Sequence, residues 1–391
     1  MSERQFNPAQ FDGLRRNSLI AGGALLLISL VELFIHPQTF FRSYLFSFAF
    51  LISFPLGSLA VLMLHHLTGG GWGYVIRRPL EAASRTLWMP AVFYVPLLLG
   101  MRYLYVWARP GAADTPLVHP RHFYLNVPFF LVRSAIYFGV WFWLMRTLNR
   151  WSREQDENGD PELSAKLAGI SGPGMVLYGF TMSFAAIDWM MSLEPDWFSS
   201  IYGLIFLVAQ AIVAMSFVIL VARRLAEGEP IAAIATPVRF NDLGNLLLAC
   251  VMLWAYFSFS QFLIIWSGNL PEEISWYMSR ANGSWAKFAI VLILFHFAVP
   301  FFLLLLRSVK RHGALSFVAA LLIVLSIFDF FWLIVPAFEP SVVSVHWTDL
   351  TLPLGMFGVW LWVFFGELSS RALLPARDPR LAEVLEHAAE H

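Results

Sequence analysis

The sequence is dominated by ten apolar segments, each about 18 or more residues long, which is the length of a helix that crosses a bilayer. Of the 391 residues, 58% are hydrophobic and only 13% are charged, too few to cover the surface of a soluble domain. The sequence therefore predicts an all-α integral membrane protein, and it argues against a soluble enzyme or a disordered chain. The predicted spans are residues 18–35, 43–66, 88–107, 124–146, 173–192, 198–222, 243–266, 286–306, 314–335 and 352–371.

The distribution of Lys and Arg between the loops predicts the orientation of these spans. The N-terminal segment and the segments after spans 2, 4, 6, 8 and 10 carry three or four basic residues each, whereas the alternate segments carry two or fewer. Cytoplasmic loops are the basic ones. We therefore expect a multi-pass protein of the bacterial cytoplasmic (inner) membrane with both termini in the cytoplasm. Arg15 and Arg16 precede a first span that lacks a cleavage site, so this span is predicted to be retained.

The spacing of the spans suggests a domain organisation. We expect a cytoplasmic N-terminal segment (1–17), a ten-helix membrane domain (18–371) and a cytoplasmic tail (372–391) with a short amphipathic helix. Within the membrane domain, two sets of four helices follow similar spacings, residues 43–192 and 198–335. They predict two four-helix bundles accompanied by two extra helices.

The loops between the spans differ in character. Residues 151–161 are acidic and polar, which predicts a solvated surface loop. Residues 74–87 follow a glycine-rich turn and predict an interfacial segment. The loops 108–123, 267–285 and 336–351 are long and rich in Pro, Trp and His, as is typical of loops that cover a partner or a site, or that form an aromatic belt.

Composition limits the cofactors and partners of the chain. The formal net charge is zero, so no basic surface for nucleic acid is predicted. Cys250 is the only cysteine, which excludes an internal disulfide, a cysteine-held metal site and c-type haem attachment. The histidines within the spans, His65, His66 and His296, do not form pairs at matched depth, so a bis-histidine haem is not expected. The glycine run at residues 69–73 lacks the pattern of a phosphate-binding loop.

Ionisable residues inside the spans are the candidates for function, because a charge in the membrane is costly unless it is used or paired. His296 and Asp329 can exchange protons and lie too deep to reach water, which favours a proton-carrying role. Arg102 and Arg133 stay charged, so structural pairing with carboxylates is the favoured interpretation. The predicted proton pathway comprises Asp188, His296, Asp329 and Gln261, with Glu32 near the end of span 1 and the loop carboxylates Glu272 and Glu273 as its exit. Interface solvation or capping is the alternative for Glu32 and Asp188, and a solvated loop is the alternative for Glu272 and Glu273.

Four stretches of the sequence carry a resemblance to a known family: residues 65–70, 78–82, 188–203 and 260–273. They resemble the F subunit of bacterial alternative complex III, a respiratory quinol oxidoreductase. The resemblance covers most of the chain, and the phrase from Trp266 to Glu273, WSGNLPEE, is its most specific part.

The resemblance implies a ten-helix membrane subunit of the polysulfide/nitrite reductase type, built from two four-helix bundles. It implies a complex that transfers electrons from quinol to cytochrome c or another periplasmic acceptor, in which this chain gives structural support and a proton pathway but is not catalytic alone. The implied partners are membrane lipid, the related C subunit, subunits that carry haem c and iron–sulfur clusters, and in addition a terminal oxidase. Quinol and the redox cofactors are implied for those partners and none for this chain.

Two other functions remain open from the residues alone. A stand-alone secondary transporter would need discontinuous helices around a site at the bilayer midplane. A scaffold without proton transfer would need an internal partner for every buried charge. Isolation with haem-bearing partners separates the transporter from the other two, whereas the sequence does not separate the proton pathway from the scaffold.

Overall fold

The computed structural model describes residues 11–311, 313–375, 377–381 and 385–386, and these residues form helices and turns with no β-strand. Ten helices are long and apolar enough to cross a membrane, which confirms the predicted all-α, multi-pass membrane protein. Their bounds are α1 Asp12–Ile35, α2 Pro37–Thr68, α3 Gly71–Leu99, α4 Val127–Asn158, α5 Glu162–Leu193, α6 Tyr202–Leu225, α7 Pro237–Gly268, α8 Gly283–Leu305, α9 Ala314–Ala337 and α10 Thr348–Leu368.

Helices α2 and α6 form the centre of the protein. Every residue of the most apolar stretch of α2 is buried, because the helix is apolar on all sides and has neighbours all round. At their contact, Gly57 of α2 faces the backbone carbonyl of Gln210 of α6, closer than a side chain would permit. Small residues at such crossings are how membrane helices reach close packing.

The other helices are arranged around this central pair. Helices α2–α5 pack together as one group and α6–α9 as a second group, with α2 against α6 between them. Helices α1 and α10 pack on each other and against α2. The packing therefore consists of two groups of four helices and one additional pair.

The α1–α10 pair runs antiparallel and is held by glycines. Gly22 of α1 lies on the backbone of Gly355 and Gly358 of α10. Near one end of the pair, the Arg15 guanidinium lies 3.3 Å from the Trp362 carbonyl oxygen. Both described termini lie at this end of the protein, which we call the terminal end. The opposite end is the distal end.

Two segments predicted as surface features are helical. Residues 74–85 belong to the first part of α3, Gly71–Arg85, and nearly all of them are buried against the rest of the protein. Its Arg77 and Arg78 are buried because they pair with Glu81. Residues 151–158 continue α4 instead of forming a loop, since Asp156 pairs with Arg78.

Two predicted terminal features fall partly outside the described residues. The N-terminal segment is described only from Phe11, and of the predicted amphipathic helix in the tail only Leu381 and residues 385–386 are described. Before it, Asp378 folds back onto the bundle and accepts a 2.6 Å hydrogen bond from Arg77.

Candidate functional site

A buried carboxylate without a cationic partner lies inside the second helix group. Asp329 of α9 is 1% exposed, and its Oδ2 accepts a 3.1 Å hydrogen bond from the Nε1–H of Trp254 of α7. No Lys, Arg or His among the described residues lies within salt-bridge distance of it. The charged form of such a group is expensive in a low-dielectric interior, so its protonation state is open to exchange.

His296 of α8 contacts the same indole. Its ring stacks on Trp254 with centroids 4.7 Å apart and planes 15° apart. The residue is fully buried beside Leu325, yet neither ring nitrogen makes a hydrogen bond of normal geometry to a described residue. Trp254 thus contacts both titratable groups that the sequence predicted. We call Trp254, His296 and Asp329, which lie on α7, α8 and α9, the cluster around Trp254.

The backbone around His296 is not a regular α-helix. Residues Ile293–Ala298 form a π-helical turn, followed by Pro300. The proline ring would clash with the carbonyl of His296 four residues earlier in a regular helix, and the wider turn removes that conflict. Such turns recur at functional sites in membrane and soluble helices.

Asp329 opens onto a cavity of about 760 Å³ between α7, α8, α9 and the loop helix Pro271–Arg280. Its walls are almost entirely apolar and aromatic. Several wall residues, including Met252, Tyr256 and Phe259, are exposed on the surface of α7, so the cavity reaches the outside of the helix bundle.

Gln261 lies on the same helix as Trp254 and lines the same cavity. Its Oε1 accepts a 2.9 Å hydrogen bond from Ser199, and its Nε2 lies 3.5 Å from the Tyr277 hydroxyl. Burial raises the pKa of Tyr277 to about 12, so this hydroxyl stays protonated at neutral pH. Glu272 and Glu273 are on the first turn of the loop helix, at the distal end, with Glu272 exposed.

The structure places Asp188 elsewhere, in the first helix group. Its two oxygens accept hydrogen bonds of 2.8 and 2.9 Å from Arg133, and a third of 2.7 Å from the Tyr137 hydroxyl. Arg133 also donates to the Tyr124 carbonyl and lies over the Tyr124 ring. Among the described residues, no hydrogen bond or ion pair joins Asp188 to the cluster around Trp254.

The remaining predicted residues lie at the distal end. Glu32 is buried and sits 2.8 Å from the Nδ1 of His36 and 3.5 Å from the Nε2 of His346. Arg102 is exposed and donates to the hydroxyl of Tyr103, with no described carboxylate within salt-bridge distance. Arg133 therefore has the carboxylate partner expected for it, and Arg102 does not.

Buried cations that were not among the predicted site residues also lie at the distal end. Arg42 of α2 pairs with Asp349 at 2.9 Å and also contacts Glu339. Arg280 of the loop helix pairs with Glu194 at 2.9 Å and donates to the Leu333 carbonyl at 3.0 Å. Both arginines lie outside the predicted spans, in segments assigned to loops, and their partners are distant in sequence. Only the apolar residues around them hinted at burial.

The described residues contain no group of three or more His, Cys, Asp or Glu side chains placed to hold a metal ion. No protein-family model matches the chain. No curated protein matches it significantly either. The ten long apolar helices among the described residues define the class of protein: a multi-pass helical membrane protein.

Proposed function

We propose that this chain is a membrane subunit of a respiratory quinol-oxidising complex of the alternative complex III type. In this proposal it supports the subunits that carry the redox cofactors, and its second helix group transfers protons. The resemblance of residues 65–70, 78–82, 188–203 and 260–273 to the F subunit supports the assignment to a complex. The setting of Asp329, buried and bonded only to a neutral indole, carries the assignment of proton transfer.

The burial of Asp329 without a described cationic partner costs free energy. An ionisable group within a membrane span destabilises the protein unless it is paired or functional. Asp188 is paired with Arg133, which accounts for its presence without any function. Asp329 has no such partner among the described residues, and His296, which stacks on the same Trp254 indole, lacks a hydrogen bond of normal geometry. Proton exchange at these two groups is the simplest reason for keeping them.

The proposed pathway runs through the second helix group toward the distal end. Asp329 and His296 form its core, and Gln261 lines the cavity between Asp329 and the loop helix. Glu272 and Glu273 on that loop helix form the exit to water. Asp188 and Glu32 have partners of their own outside this group, and we assign them to structural roles.

The proposal places the chain in the bacterial cytoplasmic membrane with both termini in the cytoplasm. Quinol, haem c and iron–sulfur clusters belong to partner subunits, among them the related C subunit. The chain on its own would then show no oxidoreductase activity.

The assignment to a complex is tested by isolating the tagged chain in mild detergent, with subunit mass spectrometry and a visible absorption spectrum. We expect subunits carrying c-type haem and iron–sulfur clusters to be isolated with it. If the chain is instead isolated alone, colourless and stable, the proposal fails, and substrate-uptake assays on a secondary transporter take its place.

Proton transfer is tested on that complex in liposomes, with turnover and proton movement measured together. Asp329→Asn and His296→Ala are expected to assemble normally and to lose proton coupling. Glu162→Gln is the matched control, since this carboxylate is exposed at the terminal end. Full turnover and full coupling in both variants would show that the chain is a scaffold.

A further inference from the structure

A second cavity, of about 330 Å³, lies at the terminal end and differs from the first in its chemistry. It is formed where α2 ends, α3 begins and the C-terminal tail folds back. Polar and charged side chains make up most of its wall: His65, His66, Arg77, Arg239, Arg380 and Asp378. The proton pathway proposed above does not include this cavity.

The glycine-rich turn between α2 and α3 shapes the cavity. Gly69 and Gly70 have φ angles of +65° and +90°, which residues with side chains rarely adopt. A Cβ on Gly71 would overlap the guanidinium of Arg239, and a Cβ on Gly73 would overlap the ring of His65. The missing side chains therefore let one cation and one imidazole lie directly on the first turn of α3.

The first turn of α3 also contributes its own backbone. Gly70 precedes the helix, and no side chain accepts a hydrogen bond from the first turn in the described structure. Helix α3 begins with a 15-residue α-helical segment, so its first N–H groups and its dipole favour an anion. This end of the helix faces the cavity through Gly69, Gly70 and Gly71.

The charges of the wall do not balance. Arg77 is satisfied by Glu81 at 3.0 Å and Asp378 at 2.6 Å. Arg239 has only Asp242, at 4.0 Å, and Arg380 is exposed with no described carboxylate within salt-bridge distance. Among the described residues, the guanidinium groups of Arg239 and Arg380 thus line the cavity without a close carboxylate partner, which leaves this part of the wall positively charged.

Two buried histidines add unused hydrogen-bonding capacity. His65 and His66 are 3% and 8% exposed, and both line the cavity. The Nδ1 of His65 and the Nε2 of His66 have no hydrogen-bond partner among the described residues. Buried polar atoms are nearly always satisfied, by protein, water or a bound group. The Nδ1 of His65 lies against Gly73 of the first turn of α3, whereas the Nε2 of His66 would donate to an oxyanion in the appropriate tautomer.

We propose that this cavity binds a phosphate group, held between the first turn of α3, the guanidinium groups of Arg239 and Arg380, and His66. Arginine forks and helix N-termini are the groups that recognise phosphate oxygens. A divalent cation would be repelled by these guanidinium groups. The phosphate belongs either to the headgroup of an anionic phospholipid, which basic pockets between membrane helices bind, or to a water-soluble molecule.

The test uses the purified full-length protein, with its partners if they are isolated with it, in nanodiscs of phosphatidylcholine. Inorganic phosphate is titrated by calorimetry, and native mass spectrometry measures the retention of added phosphatidylglycerol and cardiolipin. Arg239→Gln and Arg380→Gln should each weaken phosphate binding or lipid retention by about tenfold. Arg150→Gln, an exposed arginine of the same end, is the matched control and should leave both unchanged.

Two further variants guard against a simple loss of folding. Asp378→Asn removes the carboxylate that lines the cavity among the described residues and should strengthen binding. Gly73→Ala displaces His65 and should weaken it, whereas Gly169→Ala, which has open space around it, should not. Binding of inorganic phosphate identifies a soluble ligand, and retention of anionic lipid without phosphate binding identifies a headgroup. Equal behaviour of the wild type, Arg239→Gln and Asp378→Asn in both assays would overturn the proposal.

Discussion

Arg133 holds the carboxylate of Asp188 through two hydrogen bonds, of 2.8 and 2.9 Å, between helices α4 and α5. The carboxylate is completely buried, and Tyr137 donates a third hydrogen bond to it. Asp329 is buried to nearly the same degree in the other helix group, but its side chain has only the indole of Trp254 as a hydrogen-bond partner among the described residues. The two aspartates are thus similarly buried, but Asp188 has a cationic partner and Asp329 has a neutral one. This difference favours a structural role for Asp188 and proton exchange for Asp329.

Removing only one member of the Arg133–Asp188 pair is predicted to destabilise the protein. Arg133→Met leaves a buried carboxylate without its cation, which costs about 3–5 kcal/mol in the free energy of unfolding. The double variant Arg133→Met with Asp188→Leu should recover most of this loss, because neither charge then remains. Thermal unfolding of the wild type, both single variants and the double variant measures the coupling.

Arg102→Met serves as the control for this cycle. Arg102 is exposed and has no described carboxylate partner, so its replacement should change the unfolding free energy by less than about 0.5 kcal/mol. Equal losses for Arg102→Met and Arg133→Met would contradict the assignment of Arg133 as a buried pair.

The N–H group of Trp254 is predicted to be needed for normal proton coupling. Trp254→Phe keeps an aromatic ring against His296 but removes the donor to Asp329, and a buried polar group that loses its partner costs about 1–3 kcal/mol. Proton-coupled turnover should therefore change by roughly tenfold while assembly is kept. Trp332→Phe is the matched control for Trp254→Phe, because Trp332 lines the same cavity and its Nε1 has no described acceptor. Similar coupling in the two variants would argue that the ring, and not its N–H, is what Asp329 needs.

The helices and the buried positions of Asp329 and His296 could be predicted from the sequence, because hydropathy and the alternation of basic loops report depth directly. The buried arginines of α3 could not. A hydropathy profile assigns Arg77 and Arg78 to the interface, because it contains no information about the carboxylates that neutralise them in the folded protein. Arg77 meets Asp378, 301 residues away along the chain, and only the folded structure brings them together.

The separation of Asp188 from Asp329 has a similar cause. Both lie on helices that run in the same direction, and topology alone assigned both to the distal half. The depth of a residue along the membrane normal does not determine which helices are neighbours. The packing of α5 on α4 and of α9 on α8 decides that the two aspartates belong to different groups.

The contact of α1 with α10 is predicted to be sensitive to a single methyl group. A Cβ on Gly22 would lie 2.7 Å from the Val359 nitrogen and 2.8 Å from the Gly355 oxygen, so Gly22→Ala should cost about 1–3 kcal/mol by overpacking. Gly23 has open space, and Gly23→Ala should be neutral or stabilise by up to about 1 kcal/mol, since alanine favours the helix. Thermal unfolding together with protease cleavage after α1 compares the two. Equal tolerance of both substitutions would show that α1 is not seated on α10 as described.

Tyr277 provides a test of whether the loop helix Pro271–Arg280 closes over the first cavity. Burial raises the pKa of its hydroxyl to about 12, whereas an unfolded tyrosine titrates near 10. Between these values the unfolded chain has released the proton that the folded chain still binds. The contribution of Tyr277 to stability is thus fully present below about pH 10 and is lost as the pH rises through about 12. The difference in ultraviolet absorbance between the wild type and Tyr277→Phe should show tyrosinate formation near pH 12 in the folded protein and near pH 10 after denaturation. Titration near pH 10 in both states would mean that the hydroxyl is solvated and that the cavity is open on this side.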